Sequence, residues 1–162
     1  MHRTSSPICR RAANEDLDGL GRLLLEVNQV HADLRPDLFR SNSRKYGPAE
    51  LAQLLDDESC PIFVAALDGQ LLGHAFCRLE RHVGESNMPD HLTLYIDDIC
   101  VDSKARGHGI ARLLFEHVLA YARSMDCHNI TLNVWEGNDQ ALGFYEHMGF
   151  AVQKRGMELV LD

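Results

Sequence analysis

Two short stretches of this sequence carry residue types that chemistry could use. The first is Asp102-Ser103-Lys104-Ala105-Arg106-Gly107-His108-Gly109-Ile110-Ala111. Gly107 and Gly109 let the backbone turn tightly and come close to a ligand. An apolar helical repeat follows at once, so the free N–H groups of a helix start, with its dipole, make an anion site here. Lys104 and Arg106 add positive charge to this loop. A Walker A loop needs G-x-x-x-x-G-K-[ST], which is missing, and a dinucleotide fingerprint needs a third glycine where Arg112 or Leu113 stands. The loop suits a phosphate of another kind, although a plain helix-entry turn with surface cations has the same composition.

The second stretch is Tyr95-Ile96-Asp97-Asp98-Ile99-Cys100-Val101. It puts two carboxylates inside a strand otherwise built for burial, where charges are uncommon unless paired or functional. In a regular strand neighbours face opposite ways, so only one of the two faces a substrate. Cys100 has no paired histidine to activate it and reads as a buried strand thiol. The other cysteines, Cys9, Cys60, Cys77 and Cys127, are widely spaced with no C-x-x-C, so reduced thiols and a cytoplasmic location are expected. Nine histidines form no metal-ligand spacing, and no metal is expected.

These stretches need a scaffold, and 162 residues with 45% hydrophobic content suffice for a single domain over 1–162. Lys+Arg 16 against Asp+Glu 24 gives a net charge of -8, which argues against nucleic-acid or anionic-membrane binding and suits a cationic or neutral partner. The first residues lack an apolar signal region, and no run is long enough to cross a membrane. Ile8 to Ala12 reads as a strand, and Asn14 as the N-cap of a helix carrying Leu17, Leu20, Leu24 and Val27. The segment after His31 loses periodicity, and a short helix follows from Ala49. Pro61 to Leu67 and Gln70 to Arg81 form a hairpin about Asp68-Gly69, and His91 to Val101 a long strand. Ile110, Leu113, Leu114, Val118 and Ala122 mark a helix, Ile130 to Trp135 a strand, and Asp139 to Met148 a helix. After Gly149-Phe150 a last hairpin is expected, ending near Leu161. The order predicts a mixed α/β domain.

Arg106-Gly107-His108-Gly109-Ile110-Ala111 resembles the [Q/R]-x-x-G-x-[G/A] acyl-CoA loop of the GNAT superfamily of N-acetyltransferases. About thirty residues on, Asn138-Asp139-Gln140-Ala141-Leu142-Gly143-Phe144-Tyr145-Glu146-His147-Met148-Gly149-Phe150 resembles the superfamily's second signature, N-x-x-A-x-x-[FL]-Y-x-x-x-G-F. Ile8 to Asp16 is similar to its opening strand and helix. The resemblance implies a strongly twisted, mostly antiparallel sheet whose two central strands splay apart, with flanking helices.

It also implies acetyl-CoA as co-substrate. Arg106, Gly107, His108, Gly109, Ile110 and Ala111 would hold its pyrophosphate. Ile99, Cys100 and Val101 would run beside pantetheine, with a bulge near Ile99 or Cys100 turning an N–H toward the thioester. Asn138 would meet pantetheine or cap the last helix. Tyr145 matches the residue that protonates the leaving sulfur, whereas by position alone it reads as an aromatic packed in the core. Asp97 matches a glutamate that several members carry as base, with Asp98 as the second choice and Glu136 near the splayed strands. His31, Arg35, Phe39 and Glu136 would meet the acceptor. The implied activity is direct acetyl transfer to a small primary amine in a ternary complex. The alternatives are a protein or peptide acceptor, or an acyl-CoA-binding module without catalysis. A homodimer is compatible with this reading.

Overall fold

The computed structural model describes residues 5–161. Strand β1 (Ile8–Arg11) leads through a short 3-10 turn into helix α1 (Leu17–Leu34), and α2 (Pro48–Leu55) follows an irregular segment. Strands β2 (Ile62–Leu67), β3 (Gln70–His82) and β4 (His91–Val101) come next, then α3 (Ile110–Ser124), β5 (Asn129–Leu132) and α4 (Asp139–His147). The five strands lie in the order β1-β2-β3-β4-β5. All neighbours are antiparallel except β4 and β5, which run parallel with α3 as their crossover.

The sheet buries both faces. On one, Leu94 and Ile96 of β4 join Phe63 and Ala75 under Leu114, Phe115 and Val118 of α3. On the other, Val64, Leu71, Phe76 and Cys100 pack under Leu20, Leu23 and Leu24 of α1 and Leu51 of α2. The apolar spacing of α1 and α3 follows the helical period, so each lays one stripe on the sheet. His74 lies fully buried in β3, edge-on to Phe76 with ring centroids 4.8 Å apart. Burial pushes it down to about 3, so this ring is neutral.

Three expectations need correction. Asn14 lies inside the 3-10 turn and does not cap α1. Asp16 holds the N-cap position of α1 without a side-chain cap bond; its buried carboxylate instead accepts from the Ala13 N–H at 2.8 Å, closing the 3-10 turn, and is gripped by Arg10 at 2.7 and 3.0 Å. Strand β5 ends at Leu132, short of the predicted Trp135. No strand forms over residues 151–161, where a terminal hairpin was expected. The segment makes no main-chain hydrogen bond to any strand among the described residues.

Candidate active site

Strand β4 changes character halfway. Its register with β3 runs from Arg78↔Tyr95 to Cys77↔Ile96 and then jumps to Phe76↔Asp98. Asp97 is therefore an extra, unpaired residue, a β-bulge. A bulge in this strand was expected from the resemblance, and it falls at Asp97, ahead of Ile99 and Cys100. It also reverses the side-chain alternation. Leu94 and Ile96 face α3 before it, Ile99 and Val101 pack on that same side after it, and Cys100 faces α1.

Pairing with β5 stops at the same level. The last rung is Ile96↔Leu132, although β4 continues to Val101. The β5-facing edge of residues 97–101 is thus left without a strand. An extended ligand with amide groups could add there as a strand would.

The loop after β4 is anchored from several sides. Asp102 accepts from the Lys104 N–H at 2.9 Å and from Arg22 of α1 at 2.5 Å, and Ser103 N–H donates to Glu26 at 3.2 Å. Ala105 and Ile110 are buried at either end, whereas residues 106–109 are exposed. Gly107 and Gly109 sit at φ +80° and +75°, the left-handed region that glycine allows. The first main-chain bond of α3 is Leu113 N–H to the Gly109 carbonyl, so the N–H groups of residues 106–112 find no main-chain acceptor among the described residues. They form a row of donors at a helix start flanked by Lys104 and Arg106, which fits a pyrophosphate.

Near the bulge several ionisable groups meet. Lys45, from the irregular segment between α1 and α2, places its ammonium 2.6 Å from the Asp97 carboxylate. Asp98 has no such partner. Burial and the neighbouring Asp97 charge push its carboxyl up to about 7, with Lys45 opposing. Tyr145 projects from α4 among Phe144 and Phe150, with ring centroids 5.3 and 5.6 Å away. Its hydroxyl is held well above the usual phenol range by burial, then by the Asp98 and Cys77 charges. Asp98 and Tyr145 therefore belong to one electrostatic neighbourhood. Burial pushes the Cys100 thiol up to about 12, which makes it a poor nucleophile.

Beyond Asp97 lies an aromatic corner. His31 and Phe39 stand 5.2 Å apart, Trp135 meets Phe39 edge-on at 5.5 Å, and Arg35 lies over Trp135 at 5.7 Å. Burial lowers the His31 pKa. Arg35 is engaged with Asp37 at 2.6 Å and with Glu158. Glu136 is exposed and makes no side-chain hydrogen bond among the described residues. Asn138 caps α4, its side chain accepting from the Ala141 N–H at 3.3 Å. Asn133 donates to the Tyr95 hydroxyl at 3.2 Å.

Residues 27–150 match the model of the acetyltransferase (GNAT) family. The chain belongs to that family. This acetyltransferase is 32% identical over 148 residues to the peptidyl-lysine N-acetyltransferase YjaB of Salmonella typhimurium, covering 90% of this chain and 84% of that one. It is 24% identical over 139 residues to the L-amino acid N-acetyltransferase AaaT of Escherichia coli, covering 83% and 81%. Among solved structures, a mutant of the BH1408 protein from Bacillus halodurans superposes with a TM-score of 0.90 at 32% identity, over 95% of this chain and 99% of that one. This acetyltransferase is thus an enzyme that transfers acetyl groups to nitrogen, in a family whose co-substrate is acetyl-CoA. No helix among the described residues is long and apolar enough to cross a membrane, and no cluster of metal-ligating side chains is present among them.

Two residues of this acetyltransferase escaped the sequence reading. Lys45 sits in a stretch without periodicity, so nothing marked it. Trp135 was read as the end of a strand, and its place beside Phe39 depends on β5 ending early. The bulge did leave a mark: apolar positions are even at 92, 94 and 96 and odd at 99 and 101, with the aspartate pair at the switch.

Proposed function

We propose that this acetyltransferase acetylates the primary amine of a small molecule, binding acetyl-CoA and amine together. The observation that carries this reading is the bulge at Asp97 where the β4–β5 ladder ends, with the Asp98 carboxyl pushed up to about 7 there and its charge felt at Tyr145. A proton acceptor with a pKa near neutrality is matched to an ammonium donor at physiological pH.

The N–H groups of residues 106–112, with Arg106, would hold the pyrophosphate. The open edge at Ile99, Cys100 and Val101 would take the pantetheine amides, and Asn138 would keep the start of α4 in place beside them. Acetyl-CoA supplies the activated acetyl group. Asp98 takes the proton from the incoming ammonium, directly or through water, so that a neutral amine attacks. Tyr145 keeps its proton throughout the working pH range and holds it ready for the departing sulfur. Asp97 holds Lys45 and sets the field at Asp98. This gives it a tuning role, whereas the sequence reading had it as the leading base. His31, Phe39 and Trp135 would wall the acceptor, with Arg35 and Glu136 at its rim.

A second acceptor class, a protein lysine, is favoured by one observation. The Lys45 side chain already rests its ammonium against Asp97, so the site suits an ammonium on an aliphatic stem. The YjaB relative carries the same activity in its description. Thiol release measured across polyamines, amino acids, aminoglycosides and lysine peptides separates the two. Highest kcat/KM on a free amine supports the small-molecule reading, and highest kcat/KM on lysine peptides replaces it.

A further inference from the structure

Lys45 is held among the groups that would serve an acceptor amine. Its ammonium lies 2.6 Å from the Asp97 carboxylate at the bulge. It acts electrostatically on Asp98, the proposed base, and on His31 of the aromatic corner. The irregular segment that carries it is tied to α1. Asn28 donates to the Arg40 carbonyl at 2.8 Å and to Ser43 Oγ at 3.1 Å, and the Asn42 N–H donates to Gln29 at 3.2 Å. These ties keep a primary amine beside the site with no need for a diffusional encounter. The Lys45 side chain is 51% exposed, so it has room to swing off Asp97. The other lysines are placed differently: Lys104 is exposed on the donor loop, and Lys154 on the segment after Phe150.

We propose that this enzyme acetylates its own Lys45 when acetyl-CoA is present without an acceptor. The inference rests on the reading of this site as the transfer centre. Asp98 takes a proton from the Lys45 ammonium, and the neutral Nζ attacks the thioester carbonyl carbon. The C–N bond forms, the C–S bond breaks, and Tyr145 gives its proton to the departing sulfur. The second proton lost from nitrogen restores Tyr145 through water, and Asp98 releases its own to solvent. The products are N-acetyl-Lys45, the free thiol of CoA and one proton.

Burial disfavours the Lys45 ammonium, but its bond to Asp97 outweighs this and holds the pKa above the usual lysine value. Self-acetylation is therefore slow beside turnover of a free amine, and it quickens as pH rises. Its product regulates the site. Acetylation removes the positive charge that opposes burial and Asp97 at Asp98, so the modified enzyme needs a higher pH to ionise its base.

Incubating the full chain with acetyl-CoA at pH 8, without added amine, tests this by intact mass and peptide mapping. One acetyl group should appear on Lys45 ahead of Lys104 and Lys154, with a rate constant independent of enzyme concentration. Lys45→Arg should acquire none over the same time, and Asp98→Asn should slow the reaction at least about ten-fold. An unmodified Lys45 overturns the proposal. So does acetylation that is equally fast in Asp98→Asn, or a rate constant that grows with enzyme concentration. Thiol release on added amines, run alongside, keeps two failures apart. Asp98-dependent turnover with Lys45 unmodified sinks self-acetylation alone, whereas Asp98 independence in both reactions sinks the reading of the site as well.

Discussion

The Lys45 ammonium stands 2.6 Å from the Asp97 carboxylate, while Asp98, the next residue of β4, has no ion pair or side-chain hydrogen bond among the described residues. The bulge separates their roles. Asp97 ends up ion-paired at the rim, and Asp98 is left in a dry place beside its charge.

That arrangement makes the pH profile a readout of the base. The pKa of Asp98 is raised by burial and by Asp97 and lowered by Lys45. Activity should rise with pH through about 7 as Asp98 ionises. Asp97→Asn removes a raising charge, so the acidic limb of kcat/KM should move to lower pH. Lys45→Met removes a lowering charge and should move the limb up. If Asp97 were the base, Asp97→Asn would lose most activity below neutral pH, the reverse of this outcome.

Asp98→Asn should reduce kcat by roughly ten- to a thousand-fold and abolish the acidic limb, as loss of a general base does. It should also stabilise the fold. The folded-state pKa lies above the unfolded one, so the stability contributed by Asp98 is full below about 4 and is lost as pH rises toward about 7. Asparagine does not titrate, so the variant's advantage should grow across that window, to a magnitude on the order of 2–4 kcal/mol. Thermal melts at pH 4 and pH 8 measure it. Equal melting of the two proteins at pH 8 would show that Asp98 is not desolvated.

Tyr145→Phe keeps the ring among Phe144 and Phe150 and removes only the hydroxyl. We expect kcat to fall by roughly ten- to several-hundred-fold, with acetyl-CoA affinity and Tm nearly unchanged. Steady-state kinetics with calorimetric titration of acetyl-CoA separates these effects. Wild-type turnover would assign the proton to another group.

Gly109→Val places a β-branched side chain at φ +75° on the donor loop. Space around the position is open, so the cost to folding is backbone strain alone, about 1–3 kcal/mol. Acetyl-CoA affinity should fall by more than ten-fold, because the loop must shift its N–H groups to relieve that strain. Unchanged affinity in the folded variant would place the pyrophosphate elsewhere.

Most of the scaffold could be read from sequence because each element declares its own period. Leu20 and Leu24 mark α1, Leu114 and Val118 mark α3, and Asp68-Gly69 fixes the β2–β3 hairpin. The donor loop was legible for the same reason: its glycines and its helix are contiguous. The acceptor side was legible only in part: His31, Arg35 and Phe39 were named from the resemblance, whereas Lys45 and Trp135 lie far apart in the chain and reach that corner only through tertiary packing. The terminal hairpin failed for a different cause. Val152, Met157 and Leu159 have the composition of a strand, but composition does not say which edge a strand will use.

The ladder between β4 and β5 stops at Ile96↔Leu132, and this has a thermodynamic consequence. If acetyl-CoA takes this edge as proposed, five residues of β4 gain rungs from the bound molecule, and ligation and folding draw on the same linkage. At a free acetyl-CoA concentration one hundred times its Kd, the folded state gains about 2.7 kcal/mol. An enzyme built this way melts, exchanges its amides and resists proteases according to how much acetyl-CoA surrounds it. On the proposed reading, its resistance to heat and proteases rises with the free acetyl-CoA concentration.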